Sequence, residues 1–184
     1  MKKFLSFCWE TLKMVIISLA IVLPIRYFLV QPFYVKGASM EPNFHDSEYL
    51  IIDEISYRFH APERGDIVVF RYPNDPTEYF IKRVIGLPGE TVEIKDGAVY
   101  IFNQAKPDGL KLPESYLPEG LQTYAYAVER VSVGPDEYYV LGDNRLASKD
   151  SRSFGAVNKS FIVGRVVLRG LPLNKAAIFK AVTY

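Results

Sequence analysis

Thr91-Val-Glu-Ile-Lys95 and Ala98-Val-Tyr-Ile-Phe102 are two β-branched and aromatic runs, joined by Asp96-Gly97. That dipeptide between alternating runs is the strongest short-range hairpin signal, because a tight two-residue turn needs positive φ at both central residues. Val92 and Ile94 alternate with charged neighbours, so one face of the hairpin is apolar. The same texture extends outward in both directions. Upstream lie Tyr49-Leu-Ile-Ile52, Asp66-Ile-Val-Val-Phe70 and Tyr79-Phe-Ile-Lys-Arg-Val-Ile85, each bounded by Gly, Pro or Asp. Downstream lie Tyr138-Tyr-Val-Leu141 and Ile162-Val-Gly-Arg-Val-Val-Leu168. Between them, residues 103–124 carry Pro107, Gly109, Pro113, Pro118 and Gly120 and read as a surface insertion. With 13 Tyr and 12 Phe to fill a thick core, the expectation is a mainly β domain, a folded-over sheet or barrel.

The N-terminal part has a different character. Residues 1–30 hold Lys2, Lys3, Lys13 and Arg26 against Glu10 alone, whereas the remainder carries a slight acidic excess. Between Lys13 and Arg26 runs the uncharged stretch Met14-Val-Ile-Ile-Ser-Leu-Ala-Ile-Val-Leu-Pro-Ile25. As a helix this covers only ~18 Å of a ~30 Å hydrocarbon core. Extension through Tyr27-Phe-Leu-Val30 brings it to ~25 Å, with Arg26 reaching to the interface. No small-residue cleavage site follows at Val30-Gln-Pro-Phe33, and an apolar band unbroken all round suits a core helix poorly. The reading is a membrane anchor over residues 1–30, with Trp9, Tyr27, Phe28, Phe33 and Tyr34 at the interfaces. Residues 31–184 form the β-rich domain. The lysines ahead of the span favour a cytoplasmic N-terminus and an extracytoplasmic domain, attached to the plasma membrane by a single pass.

Composition narrows the chemistry. The chain has 184 residues, 22 basic and 21 acidic side chains and a net charge of +1, which argues against a nucleic-acid partner. Cys8 is the single cysteine, so no intrachain disulfide, cysteine-built zinc site or thiol protease is available in the β domain. No metal or cofactor motif is present. His45 and His60 are the only histidines, both in charged, loop-like contexts.

Three segments can carry a reaction. Ser39, in Gly37-Ala-Ser-Met-Glu-Pro42, lies on an irregular turn where backbone N–H groups are left free. It is either a turn residue or an exposed nucleophile with its own amide as oxyanion donor. Lys82 shares a strand face with Phe80 and Val84; it is either an edge lysine facing water or a desolvated amine of lowered pKa. Gly142-Asp-Asn-Arg-Leu-Ala-Ser-Lys-Asp-Ser-Arg-Ser-Phe-Gly155 is either a solvated loop or a hydrogen-bonded network shaping a site.

Taken together, these segments resemble the bacterial type I signal peptidases, membrane-bound Ser/Lys endopeptidases that remove signal peptides. The resemblance runs from the anchor to about Leu168. It rests on the serine box, on Arg64-Gly-Asp-Ile-Val-Val-Phe-Arg-Tyr-Pro73, on Tyr79-Phe-Ile-Lys-Arg-Val-Ile-Gly-Leu-Pro-Gly89, and on Gly142-Asp-Asn-Arg145 through Asp150-Ser-Arg152. It implies Ser39 as nucleophile, Lys82 as general base, and Ser148 as the serine whose hydroxyl orients the lysine amine. It further implies that Asp143 pairs with Arg83, that Asp150 and Arg152 brace the site, and that the Ser39 amide serves the oxyanion hole. Some members carry a second donor hydroxyl where this chain has Gly37, and an asparagine is often found where it has Ala147. No cofactor is implied. The implied partners are preprotein signal peptides, cut after small residues at −1 and −3, and the lipid bilayer. Ala38, Met40 and apolar residues near Lys82 are the expected pocket walls. Two other readings are a Ser/Lys self-cleaving repressor-type protein and a membrane-tethered β domain that binds without catalysis.

Overall fold

A computed structural model describes residues 2–24 and 30–179. Helix α1 spans Lys2–Pro24. It therefore begins well before the uncharged stretch, and Val30, the expected end of the lengthened helix, is instead the first residue of a β-strand. Arg26, Tyr27 and Phe28 lie outside the described residues. Within α1, Ser6–Leu23 is long and apolar enough to cross a membrane, and none of that window is buried.

The domain is mainly β, as its sequence pattern suggests. Its strands are β1 (Val30–Tyr34), β2 (Tyr49–Asp53), β3 (Ile67–Tyr72), β4 (Asp75–Gly86), β5 (Thr91–Lys95) and β6 (Ala98–Asn103). They continue as β7 (Lys106–Lys111), β8 (Arg130–Ser132), β9 (Glu137–Leu141), β10 (Val157–Asn158), β11 (Ile162–Leu171) and β12 (Ala177–Ile178). Two short α-helices, α2 (Ser56–Phe59) and α3 (Ser151–Phe154), and two 3-10 turns, Lys159–Phe161 and Leu173–Lys175, complete the described elements. The larger sheet runs β1-β2-β11-β3-β4-β9-β10, with β12 alongside β11; a second sheet runs β7-β6-β5-β8. All pairings are antiparallel.

The β5–β6 hairpin forms in the register its sequence requires, Lys95 opposite Ala98. Asp96 and Gly97 both adopt positive φ, 51° and 75°. Burial explains the continuous apolar run of β3. Ile67 and Val69 join a core with Val35, Met40, Phe44, Leu50 and Ile52, while Val68 and Phe70 join a second core with Val84, Tyr138 and Val140 on the other face. A strand covered on both sides has no reason to alternate. A third core, from Ile85, Val92, Val99, Ile101 and Tyr139, fastens the smaller sheet to the ends of β4 and β9.

Residues 103–124 are exposed over much of their length, yet they are more than an excursion. They supply β7 and then turn Glu114, Tyr116 and Thr123 back beneath the polar loop after β9. Phe33 and Tyr34, expected at a membrane interface, sit in β1 opposite Leu50 and Tyr49. Phe33 packs edge-on against Tyr79 at 5.5 Å.

Candidate active site

The loop carrying Ser39 is closed at its base. The Val35 amide donates to the Glu48 carbonyl at 2.9 Å and the Ser47 amide to the Val35 carbonyl at 3.0 Å. Asp46 accepts from the Gly37 amide at 2.7 Å, and that bond holds its carboxyl below the usual range. Met40 and Phe44 are buried in the core below, so the loop is pulled down with Ser39 half-exposed at its crest. The amide of Ser39 donates to no group among the described residues.

Lys82 arrives from β4, a strand flanked at this point by β3 and β9, not an edge. It is 3% exposed. Its Nζ donates to Ser39 Oγ at 2.8 Å and to its neighbour's carbonyl, Ile81 O, at 2.8 Å. The ammonium lies 5.2 Å from the Phe80 ring centroid. Burial pulls its pKa down from 10.5 to about 8, against the opposing pull of Asp150 and Asp143. A neutral amine is therefore accessible near physiological pH, within hydrogen-bond reach of a hydroxyl. That pair can exchange a proton and make the hydroxyl nucleophilic.

Neither histidine supplies an alternative base at Ser39. His45 Nδ1 lies 3.6 Å from Glu48, and His60 caps the C-terminal end of α2 on the surface. Among the described residues no cluster of His, Cys, Asp and Glu could hold a metal.

The loop after β9 forms a buried network. Arg83, next to Lys82, forks onto Asp143, with Nε to Oδ1 at 2.9 Å and Nη2 to Oδ2 at 2.6 Å. Asp150 takes two bonds from the Arg152 guanidinium, at 2.8 and 2.7 Å, one from the Arg152 amide at 3.3 Å and one from the Gly142 amide at 3.0 Å. Each charge is thus paired and hydrogen-bonded, the condition under which burial is tolerable. Ser148 is buried, but its hydroxyl has no partner among the described residues. The Ile81 carbonyl, not the Ser148 hydroxyl, is the second group that fixes the lysine amine here.

Three further residues had no role assigned by the sequence reading: Asn43, and Gly142 and Asn144 within the quoted Gly142–Gly155 segment. Asn144 donates from its backbone to the Ser39 carbonyl and from its side chain to the Ala38 carbonyl, both at 3.1 Å. Asn43 ties the serine loop to Asp143 at 2.8 Å. A β-carbon on Gly142 would overlap the Ser39 carbonyl and the Ser148 side chain, so only glycine allows this close approach. The two asparagine contacts reach across a hundred residues of chain or more, and the glycine acts through a missing side chain, so the local pattern assigns no role to any of them.

Beside the Ser39–Lys82 pair opens a cavity of about 610 Å³, walled by Phe33, Val35, Leu50, Val69, Phe80 and Ile81. Phe80 and Ile81, apolar strand residues beside Lys82, are among these walls. Met40 is not, being turned into the core, and neither is Ala38.

The family described as signal peptidase, peptidase S26, matches residues 8–171. A probable signal peptidase I-1 of Synechocystis sp. is 35% identical over 177 residues, covering 92% of this chain and 86% of the relative. A signal peptidase I of Leptolyngbya laminosa is 39% identical over 174 residues, covering 90% and 81%. A signal peptidase I of Bacillus amyloliquefaciens is 39% identical over 166 residues, covering 85% and 81%.

Proposed function

The chain belongs to the peptidase S26 family of signal peptidases, and from that premise we propose that it is a membrane-bound serine endopeptidase using a Ser39–Lys82 dyad. The observation that carries this reading is the 2.8 Å contact between a buried Lys82 Nζ and Ser39 Oγ. Neutral Lys82 accepts the Ser39 proton as Oγ attacks the carbonyl carbon of the −1 residue. Negative charge then develops on the carbonyl oxygen and meets the free Ser39 amide. The Gly37 amide is committed to Asp46, so position 37 contributes neither a hydroxyl nor an N–H. Lys82 passes its proton to the leaving amine, the C–N bond breaks, and water activated by the same amine hydrolyses the acyl-serine. Arg83–Asp143 ties β4 to the loop after β9, and Asp150–Arg152 holds that loop together beside the pair.

The substrate is a preprotein signal peptide laid in extended form along the cavity, where alternate side chains point inward. Val35, Leu50 and Val69 leave shallow apolar pockets beside Ser39, which suits small residues at −1 and −3. Helix α1 crosses the plasma membrane once, with Lys2, Lys3 and Lys13 favouring a cytoplasmic N-terminus and an extracytoplasmic domain. The test is cleavage of a preprotein carrying Ala at −3 and −1, with Ser39→Ala as the inactive control. Leu at −1 should nearly abolish turnover, whereas Leu at −2, pointing away, should be tolerated. Equal loss at −1 and −2 would overturn the extended pose, and an active Ser39→Ala chain would overturn the nucleophile.

A further inference from the structure

Lys149 also lines the cavity that holds Ser39 and Lys82. It is solvent-exposed, yet it has a fixed seat. Tyr72 and Phe80 stack at 4.6 Å with an interplanar angle of 10°, and Phe154 closes on both. The Lys149 Nζ lies 4.3 Å from the Tyr72 centroid and 6.0 Å from that of Phe80. Ring faces attract an ammonium, so this platform restrains a side chain that would otherwise sweep through water. The Phe80 ring is the one beside which Lys82 Nζ sits, at 5.2 Å. Two ammonium groups therefore share one ring, no farther apart than those two centroid distances laid end to end.

Building on the dyad reading, we propose that Lys149 is a positioning residue of the site: a second cation, seated on the Tyr72–Phe80 stack, that disfavours the charged form of Lys82 and so keeps the base ready. Burial alone works against two carboxylates, Asp143 and Asp150, that favour the charged amine from the loop after β9. Both are ion-paired, with Arg83 and Arg152. Lys36 and Glu78, of opposite sign, are the other charged walls of the cavity. Lys149 adds repulsion from the side open to substrate, where nothing else of like charge faces the Phe80 ring in the described structure. A like charge at about 10 Å in a partly solvated setting moves a neighbour's titration by roughly 0.3 to 1 pH unit.

The experiment measures kcat/KM against pH for the full chain in detergent. Its substrate is a blocked peptide with Ala at −1 and −3 and no group titrating between pH 6 and 10. Wild type should rise through one basic group to a plateau. Lys149→Met should move the midpoint up by about 0.3 to 1 unit, Lys149→Glu further, and Lys149→Arg should restore it. The Met shift should shrink in 1 M salt, where the screening length falls to about 3 Å. An unmoved midpoint in the Met and Glu variants would overturn the proposal, as would equal shifts in Met and Arg, which would mark a packing effect. Lys82→Met, run beside them, separates the two failures: full activity in that variant would remove the dyad reading itself.

Discussion

Lys82 is the residue on which the reading turns, and its burial has a cost that can be measured apart from catalysis. Its folded pKa, about 8, lies below the unfolded value near 10.5. Between those values the unfolded chain binds more protons, so folding gains stability as pH rises through that window and bears the full penalty below it. The penalty is about 3 kcal/mol at neutral pH. Lys82→Met removes it, so that variant should unfold at a higher temperature than wild type at pH 7. That advantage should fade as pH climbs from 8 towards 10.5. Thermal unfolding of the detergent-solubilised chain checks this, and a Met variant less stable at pH 7 would mean the lysine is not desolvated. The strand alternation around Phe80 and Val84 made such an environment one of two legible options. What sequence could not decide was whether β4 had a neighbour on each side, since that depends on β9, more than fifty residues away.

At the scale of elements, the strands with strong texture were legible and the edges were not. The β5–β6 hairpin, β3 and β9 carry branched and aromatic runs because they are buried. β1 contains Gln31-Pro32 and β7 contains Pro107 and Gly109; each ends a sheet, where a missing N–H costs little and burial imposes no pattern. The same weakness hid the role of residues 103–124. Arg145, 1% exposed, rests on Glu114, Thr123 and Tyr116, and its own Nε holds the Gly142 carbonyl at 3.0 Å. Burial opposes its charge, but Glu114, with Tyr116 and Asp143 behind it, outweighs that and leaves its pKa raised. Glu114→Ala strands that cation and should destabilise the fold by about 3 kcal/mol or more. It should also lower kcat/KM by loosening Gly142 under the Ser39 carbonyl. Denaturant titration and peptide kinetics measure the two effects. A variant with unchanged stability would show that the insertion is decoration.

For the molecule as a whole, the proposed function gives helix α1 and the β domain separable contributions. Helix α1 buries none of its apolar window against the domain, so a fragment beginning at Val30 retains β1 and all three cores. It should fold and should cleave a soluble peptide as fast as the full chain. Against preproteins inserted in vesicles it should be slower by about 10²-fold, having lost confinement with its substrate. Equal rates in vesicles would leave α1 without a part in catalysis. Ser39 and Lys82 stand 43 residues apart and meet only because the loop after β1 folds over β4, so their cooperation is a property of the complete fold. The direct measurement is kcat/KM for wild type, Ser39→Ala, Lys82→Met and the double variant, on one peptide and in one detergent. If nucleophile and base are a single unit, all three variants should fall to a common background, about 10³-fold or more below wild type. A Lys82→Met chain within tenfold of wild type, or a double variant lower by the product of the single losses, would contradict the dyad.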